Sequence, residues 1–153
     1  EVADLPADAL EDPRWVNRGR TDKGRDGWRV PLPWNSGGPS FGFGSNGSWL
    51  PQPSWWGRYS VEAQADVPDS MLRLYQEVLT LRENCAVDEE VRWDRRLDQG
   101  PVLAFWRGGY VLVMVNTGEV PVPLPEGEVM VASVPLEGRT LPGNSAVWLH
   151  REP

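Results

Sequence analysis

Cysteine is almost missing from this sequence: Cys85 is the one thiol in 153 residues. An internal disulfide is excluded, and a reducing, cytoplasmic setting suits the chain best. Histidine is equally scarce. His150 stands alone, so there is no Cys/His cluster for zinc. That histidine falls at the end of an expected strand, with no nucleophile or cleft around it to make a Ser-His-Asp arrangement. Runs of basic residues are absent too. Fifteen Lys and Arg are scattered among 22 Asp and Glu, for a formal net charge of −7, which argues against nucleic acid as a partner. No apolar stretch approaches the roughly 20 residues of a membrane-spanning helix. The N-terminal EVADLPADAL is acidic and too poor in apolar residues for a signal peptide.

Other chemistries also lack their parts. GFGSNGS (Gly42 to Ser48) is glycine-rich but has neither the lysine nor the strand-to-helix setting of a phosphate loop. The acidic groups DVPD (Asp66 to Asp69) and DEE (Asp88 to Glu90) do not follow a calcium-loop spacing and read as a cap and a solvated turn. Carboxylates are plentiful, yet none pairs with another at the end of a core strand as glycoside hydrolysis requires. No cofactor and no metal is implied.

What the chain has is tryptophan. Six of its nine (Trp15, Trp28, Trp34, Trp49, Trp55 and Trp56) lie in the first 60 residues, where Pro6, Pro13, Pro31, Pro33, Pro39, Pro51 and Pro53 are expected to interrupt every regular element. An indole buries about 150–250 Å² when packed, worth several kcal/mol at about 25 cal/mol per Å². An irregular segment carrying six of them is expected to lie against a larger body.

Regular structure begins later. Residues 69–84 read as a helix capped by Asp69 or Ser70. Met71, Leu74, Tyr75, Val78 and Leu81 form one stripe, which Leu72 and Leu79 widen, so burial over a broad face is expected. From residue 90 the period changes to that of strands. VLAFWRG (Val102 to Gly108) and YVLVMVN (Tyr110 to Asn116) flank the turn pair Gly108-Gly109. VPVPL (Val120 to Leu124) suits an edge, and EVMVASV (Glu128 to Val134) and AVWLHR (Ala146 to Arg151) come after it. EVRWDRR (Glu90 to Arg96) is a further candidate strand. The sum is an α+β chain ending in a small antiparallel sandwich. Cys85, just past the helix, reads as a half-buried thiol.

One stretch concentrates charge and aromatic surface without any regular period: GRDGWRVPLPW, Gly24 to Trp34. Two readings stand side by side. In one, the loop docks Trp28 and Trp34 on an apolar surface while Arg25 and Arg29 merely pair with carboxylates. In the other, an arginine points into a polar pocket, where its fixed fork of donors suits sugar hydroxyls and a carboxylate together.

At these residues the sequence resembles a known family. GRDGWRVPLPWN is similar to the segment after the eighth barrel strand in α-glucosidases of glycoside hydrolase family thirteen, the α-amylase family. EVADLP resembles the stretch just beyond the end of that strand. WLPQPSWWGRYSVEAQADVPDSMLRLYQEVLTLRE (Trp49 to Glu83) looks like the family's next loop and last barrel helix. The strands from Val102 to Asn116 and LPGNSAVWL (Leu141 to Leu149) look like its C-terminal β-domain. Two positions depart from the pattern: Trp28 stands where relatives often carry a small residue or cysteine, and Val67 precedes Pro68-Asp69-Ser70.

The resemblance implies that residues 1–85 are the end of a (β/α)₈ barrel and 86–153 the C-terminal antiparallel β-domain of a retaining α-glucosidase. The substrate would be a small α-glucoside, and the partner of this chain the remainder of the barrel. The family's three catalytic carboxylates belong to earlier strands whose motifs do not occur here, so no catalytic residue and no activity are expected of this chain alone. Arg25 matches a family residue near the innermost sugar, where the resemblance implies that it pairs with an aspartate from the barrel and reaches a glucose hydroxyl; Asp26, Arg29 and Trp34 are expected to shape the loop, and Arg29 is the second candidate for substrate contact. Two other readings compete: a self-sufficient carbohydrate-binding β-module with exposed tryptophans, and a purely structural cap for another chain.

Overall fold

A computed structural model describes residues 1–85 and 90–151. The chain divides into two compact units, Glu1–Arg73 and Leu74–Pro153. Of the acidic turn expected at Asp88 to Glu90, Asp88 and Glu89 lie outside the described residues.

The first unit is irregular, as the prolines require, but it is not without regular turns. Pro13 opens helix α1 (Pro13–Asn17), where a missing N–H is harmless, and the Asp12 carboxylate accepts the Arg14 N–H at 2.9 Å as its cap. The expectation that prolines interrupt every element is thus corrected at this position. Helix α2 (Val61–Ala65) is capped by Ser60 Oγ, which accepts the Ala63 N–H. Short 3₁₀ turns occupy Ala7–Ala9, Asp26–Trp28, Pro39–Gly42 and Ser54–Tyr59.

Leu5, Leu10, Val30 and Leu50 form a small core with Trp15 and Trp56 packed against it. Bonds between distant residues replace a ladder. The Val2 N–H reaches Gly27 O, Gln52 Nε2 donates to Pro31 O, and the Glu62 carboxylate accepts both the N–H and the hydroxyl of Ser36. Trp28, Trp34, Trp49 and Trp55 stay more than half exposed. This unit, taken alone, presents the aromatic surface that its composition announces.

Helix α3 (Met71–Cys85) matches the expected element. Ser70 Oγ accepts the Arg73 N–H and donates to Gln64 O, and Gln64 Oε1 accepts the Leu72 N–H. The expected burial is not found. Met71, Tyr75 and Leu79 are more than half exposed, and Cys85 alone along the helix is buried. The apolar stripe is real, but much of it lies uncovered among the described residues. Cys85 itself is better buried than its reading as a half-exposed thiol, because the helix end seats it against Val111 and Val113.

The second unit carries β1 (Val91–Trp93), β2 (Val102–Arg107), β3 (Val111–Asn116), β4 (Val122–Pro123), β5 (Glu128–Ala132), β6 (Thr140–Leu141) and β7 (Ser145–His150). Five strands pair antiparallel in the order β1-β2-β3-β7-β5, and β4 pairs with β6. Gly108 and Gly109 turn β2 into β3 at φ of 58° and 79°, conformations that a side chain disfavours. Alternation then sorts the residues by face. Val102, Ala104, Trp106, Leu112, Met114, Val147 and Leu149 build the main core, closed by Leu124 and Leu141 from the small sheet side. Val111 and Val113 point to the opposite face with Phe105 and Trp148. His150 ends β7, exposed.

Candidate functional site

The segment from Gly24 to Trp34 is held by two carboxylates that water does not reach: Asp12 is 1% and Asp26 0% exposed. Both are met by donors there. Asp26 Oδ2 accepts the N–H groups of Glu11 and Asp12, each at 2.8 Å. Its Oδ1 faces Arg29 Nη1 at 3.0 Å. Asp12 Oδ1 accepts the Arg14 N–H. Its Oδ2 accepts the Arg25 N–H at 3.2 Å and faces Arg29 Nη1 at 3.0 Å and Arg25 Nε at 3.9 Å. The Arg14 N–H is the strongest influence on the Asp12 carboxyl. With the Arg25 N–H and the charges of Arg29 and Arg25, it outweighs burial and holds the group below the usual carboxylate range.

The local sequence explains this arrangement. Gly24 sits at φ +66°, and a Cβ built there would lie 2.3 Å from Asp12 Cγ, so the backbone approaches the carboxylate where only glycine allows it. Asp22 accepts the Gly24 N–H and Lys23 donates to Ala3 O. The turn Asp26–Trp28 then brings the Arg29 side chain back over both carboxylates.

Arg25 and Arg29, the two candidates read from the sequence, therefore meet at one residue that sequence reading passed over, Asp12. They meet it differently. Arg29 commits Nη1 to both carboxylates. Arg25 touches Asp12 through its N–H and Nε. Its side chain is 60% exposed, and no partner for its terminal nitrogens is found among the described residues. Asp26 ties the turn to the Glu11-Asp12 backbone. Trp28 and Trp34 are exposed within the chain rather than docked on it. The signal for Asp12 was present in EDPRW, where an aspartate before Pro13 marks a helix start.

A second aromatic group lies on the first unit's surface. Trp55 meets Tyr59 edge to face at 5.8 Å, and the Arg58 guanidinium stands 4.8 Å from the Tyr59 ring and 5.6 Å from Trp55. No helix is long and apolar enough to cross a membrane among the described residues.

Known proteins resemble this chain. The chain is 37% identical over 93 residues, 60% of its length, to the probable oligo-1,6-glucosidase 2 of Bacillus subtilis (strain 168), of which it spans 16%. It matches the crystal structure of the α-glucosyl transfer enzyme XgtA at 30% identity and a TM-score of 0.74, over 99% of this chain and 31% of that one. An isomaltulose synthase of Erwinia rhapontici NX5 shares the fold at 19% identity and a TM-score of 0.71, over 96% of this chain and 32% of that one. The chain thus spans about a third or less of the proteins it matches. No family model matches.

Proposed function

We infer that this chain, which belongs to the α-amylase family, glycoside hydrolase family thirteen, and corresponds to its C-terminal segment, serves a retaining enzyme that acts on terminal α-glucosidic bonds of small saccharides. Its relatives are named as a glucosidase and as an α-glucosyl transfer enzyme, and the reading takes in both. Residues 1–85 contribute the loop after the last strand of a (β/α)₈ barrel and its last helix. Residues 86–153 contribute the β-domain. The nucleophile and the acid/base belong to the rest of the barrel, where they form and break a covalent glucosyl-enzyme.

In this reading the chain's part in the chemistry is to hold the sugar. Active sites of such barrels are built from loops at the C-terminal ends of the strands. Arg25, on the last of those loops, donates its terminal nitrogens to a glucose hydroxyl in the innermost subsite. One observation carries this assignment: the Arg25 backbone N–H is bound to Asp12 and its Nε lies 3.9 Å from the same carboxylate, while no partner for its terminal nitrogens is found among the described residues. Arg29 is the second candidate, through Nε and Nη2, since Nη1 is taken by the two carboxylates. The exposed apolar stripe of α3 and the uncovered indoles are the surfaces that the barrel would cover.

The test is hydrolysis of an aryl α-glucoside by the full-length protein, with NMR of the first-formed sugar anomer. Retention is expected, and Arg25→Ala should lower kcat/KM at least tenfold, about 1.4 kcal/mol. Unchanged kinetics would remove Arg25 from the subsite.

A binding-module reading is favoured by the exposed Trp55–Tyr59 group, since aromatic faces stack on sugar rings. It requires that residues 1–153 alone bind a malto-oligosaccharide, which calorimetry would detect.

A further inference from the structure

We propose that Asp12 is a positioning residue for Arg25, a role that rests on the reading of Arg25 as the sugar contact. Asp12 lies thirteen residues before Arg25, and it reaches that arginine at two points. Its Oδ2 takes the Arg25 N–H at 3.2 Å, which fixes the backbone, and faces Nε at 3.9 Å as an opposite charge beside the side chain. The other oxygen is occupied by the Arg14 N–H, so the carboxylate cannot rotate freely. Arg29 Nη1, shared with Asp26, holds the same oxygen from a third direction. Gly24 closes the remaining side by its approach to Asp12. A carboxylate immobilised on every side is a fixed anchor for a long, rotatable side chain. Its effect is to leave the guanidinium fork of Arg25 directed away, with its stem already ordered, so that less rotamer freedom is lost when a ligand is clamped.

The role is separable from folding. Asp12 also caps α1, and asparagine caps a helix as well as aspartate does. Asp12→Asn therefore keeps an oxygen for the cap and replaces Oδ2, the atom that faces Arg25 and Arg29, with an NH2 group, a structural cost that both backgrounds of a cycle share.

The experiment is a double-mutant cycle in the full-length protein, with Asp12→Asn, Arg25→Ala and the pair assayed on an aryl α-glucoside and by thermal denaturation. Asp12→Asn should lower the thermal midpoint to the same extent in both backgrounds, and should lower kcat/KM at least fivefold when Arg25 is present but cost nothing further in kcat/KM once Arg25 is alanine. Independent, multiplying losses would overturn the proposal, because a purely structural Asp12 harms both backgrounds alike. A crystal structure of the full-length Asp12→Asn protein decides the matter even if the wild type proves inactive on the glucoside, an outcome that would sink the proposed activity instead. Arg25 should there lose its single ordered placement; an unmoved, well-ordered Arg25 refutes the positioning role. Should Asp12→Asn fail to fold, the same cycle and structure with Asp12→Glu apply, which keeps the charge but moves the carboxylate away from the Arg25 N–H and Nε.

Discussion

Arg29 Nη1 stands 3.0 Å from Oδ2 of Asp12 and 3.0 Å from Oδ1 of Asp26, so a single nitrogen joins two carboxylates from opposite ends of the loop. Removing it leaves two buried carboxyl groups near each other with backbone donors as their main partners. Breaking one side of such a pair costs more than the pair is worth, because the remaining charge stays buried. The half-exposed arginine tempers this, since water reaches its far side. Arg18 pairs with Asp22 at 3.2 Å on the surface, where such a contact contributes about 0–1 kcal/mol. Arg29→Ala is expected to lower the thermal midpoint clearly more than Arg18→Ala. Differential scanning calorimetry of the two variants checks this, and equal shifts would mean that the two carboxylates do not depend on Arg29.

Gly24 and Gly19 form a natural comparison. Both lie at positive φ, +66° and +60°. Around Gly19 a Cβ would meet nothing within 4 Å; at Gly24 it would meet the Asp12 side chain. Gly19→Ala should therefore cost only the backbone strain of a left-handed residue, about 1–2 kcal/mol. Gly24→Ala should cost that and more, because Asp12 has to move. Denaturant midpoints of the two variants give the difference. A Gly24→Ala no worse than Gly19→Ala would show that Asp12 has room to shift.

The sequence foretold local features better than partners. The helix at Met71–Cys85 and the strands Val102–Arg107 and Val111–Asn116 follow from periodicity and glycine placement, both local signals. Ser70 as a cap was legible for the same reason. Where the apolar stripe of Met71, Tyr75 and Leu79 would be buried was not, because a stripe declares that a face is apolar and says nothing of what covers it. Arg25 and Arg29 stood out through an unusual density of charge and indole. Asp12 did not, since its importance comes from a contact thirteen residues away, and only its local half, the cap before Pro13, leaves a trace in the sequence. Asp94 and Trp106 meet across twelve residues in the same way.

That last pair gives the chain an acid-sensitive point. Burial is the largest influence on Asp94 and raises its pKa. The indole N–H of Trp106 at 2.9 Å, the N–H groups of Arg96 and Leu97, and the Arg96 charge together outweigh it, so the group ends below its ordinary value of 3.8. A carboxyl whose folded pKa is depressed binds its proton more readily in the unfolded chain. Its stabilisation is whole above that ordinary value and is lost as pH falls through the folded one. Trp106 is buried in the main core of the β-unit, so the loss should appear there and in tryptophan emission. Asp94→Asn retains an oxygen for the indole N–H but cannot titrate. Guanidinium midpoints followed by fluorescence at about pH 7, 4 and 3 should fall more steeply for the wild type than for Asp94→Asn between the two lower values, with the variant already weaker at neutral pH. Other carboxylates held low, Asp12 and Glu62 among them, contribute equally to both proteins and cancel in the comparison. Parallel curves would mean that the Trp106 bond carries no preference for the ionised form.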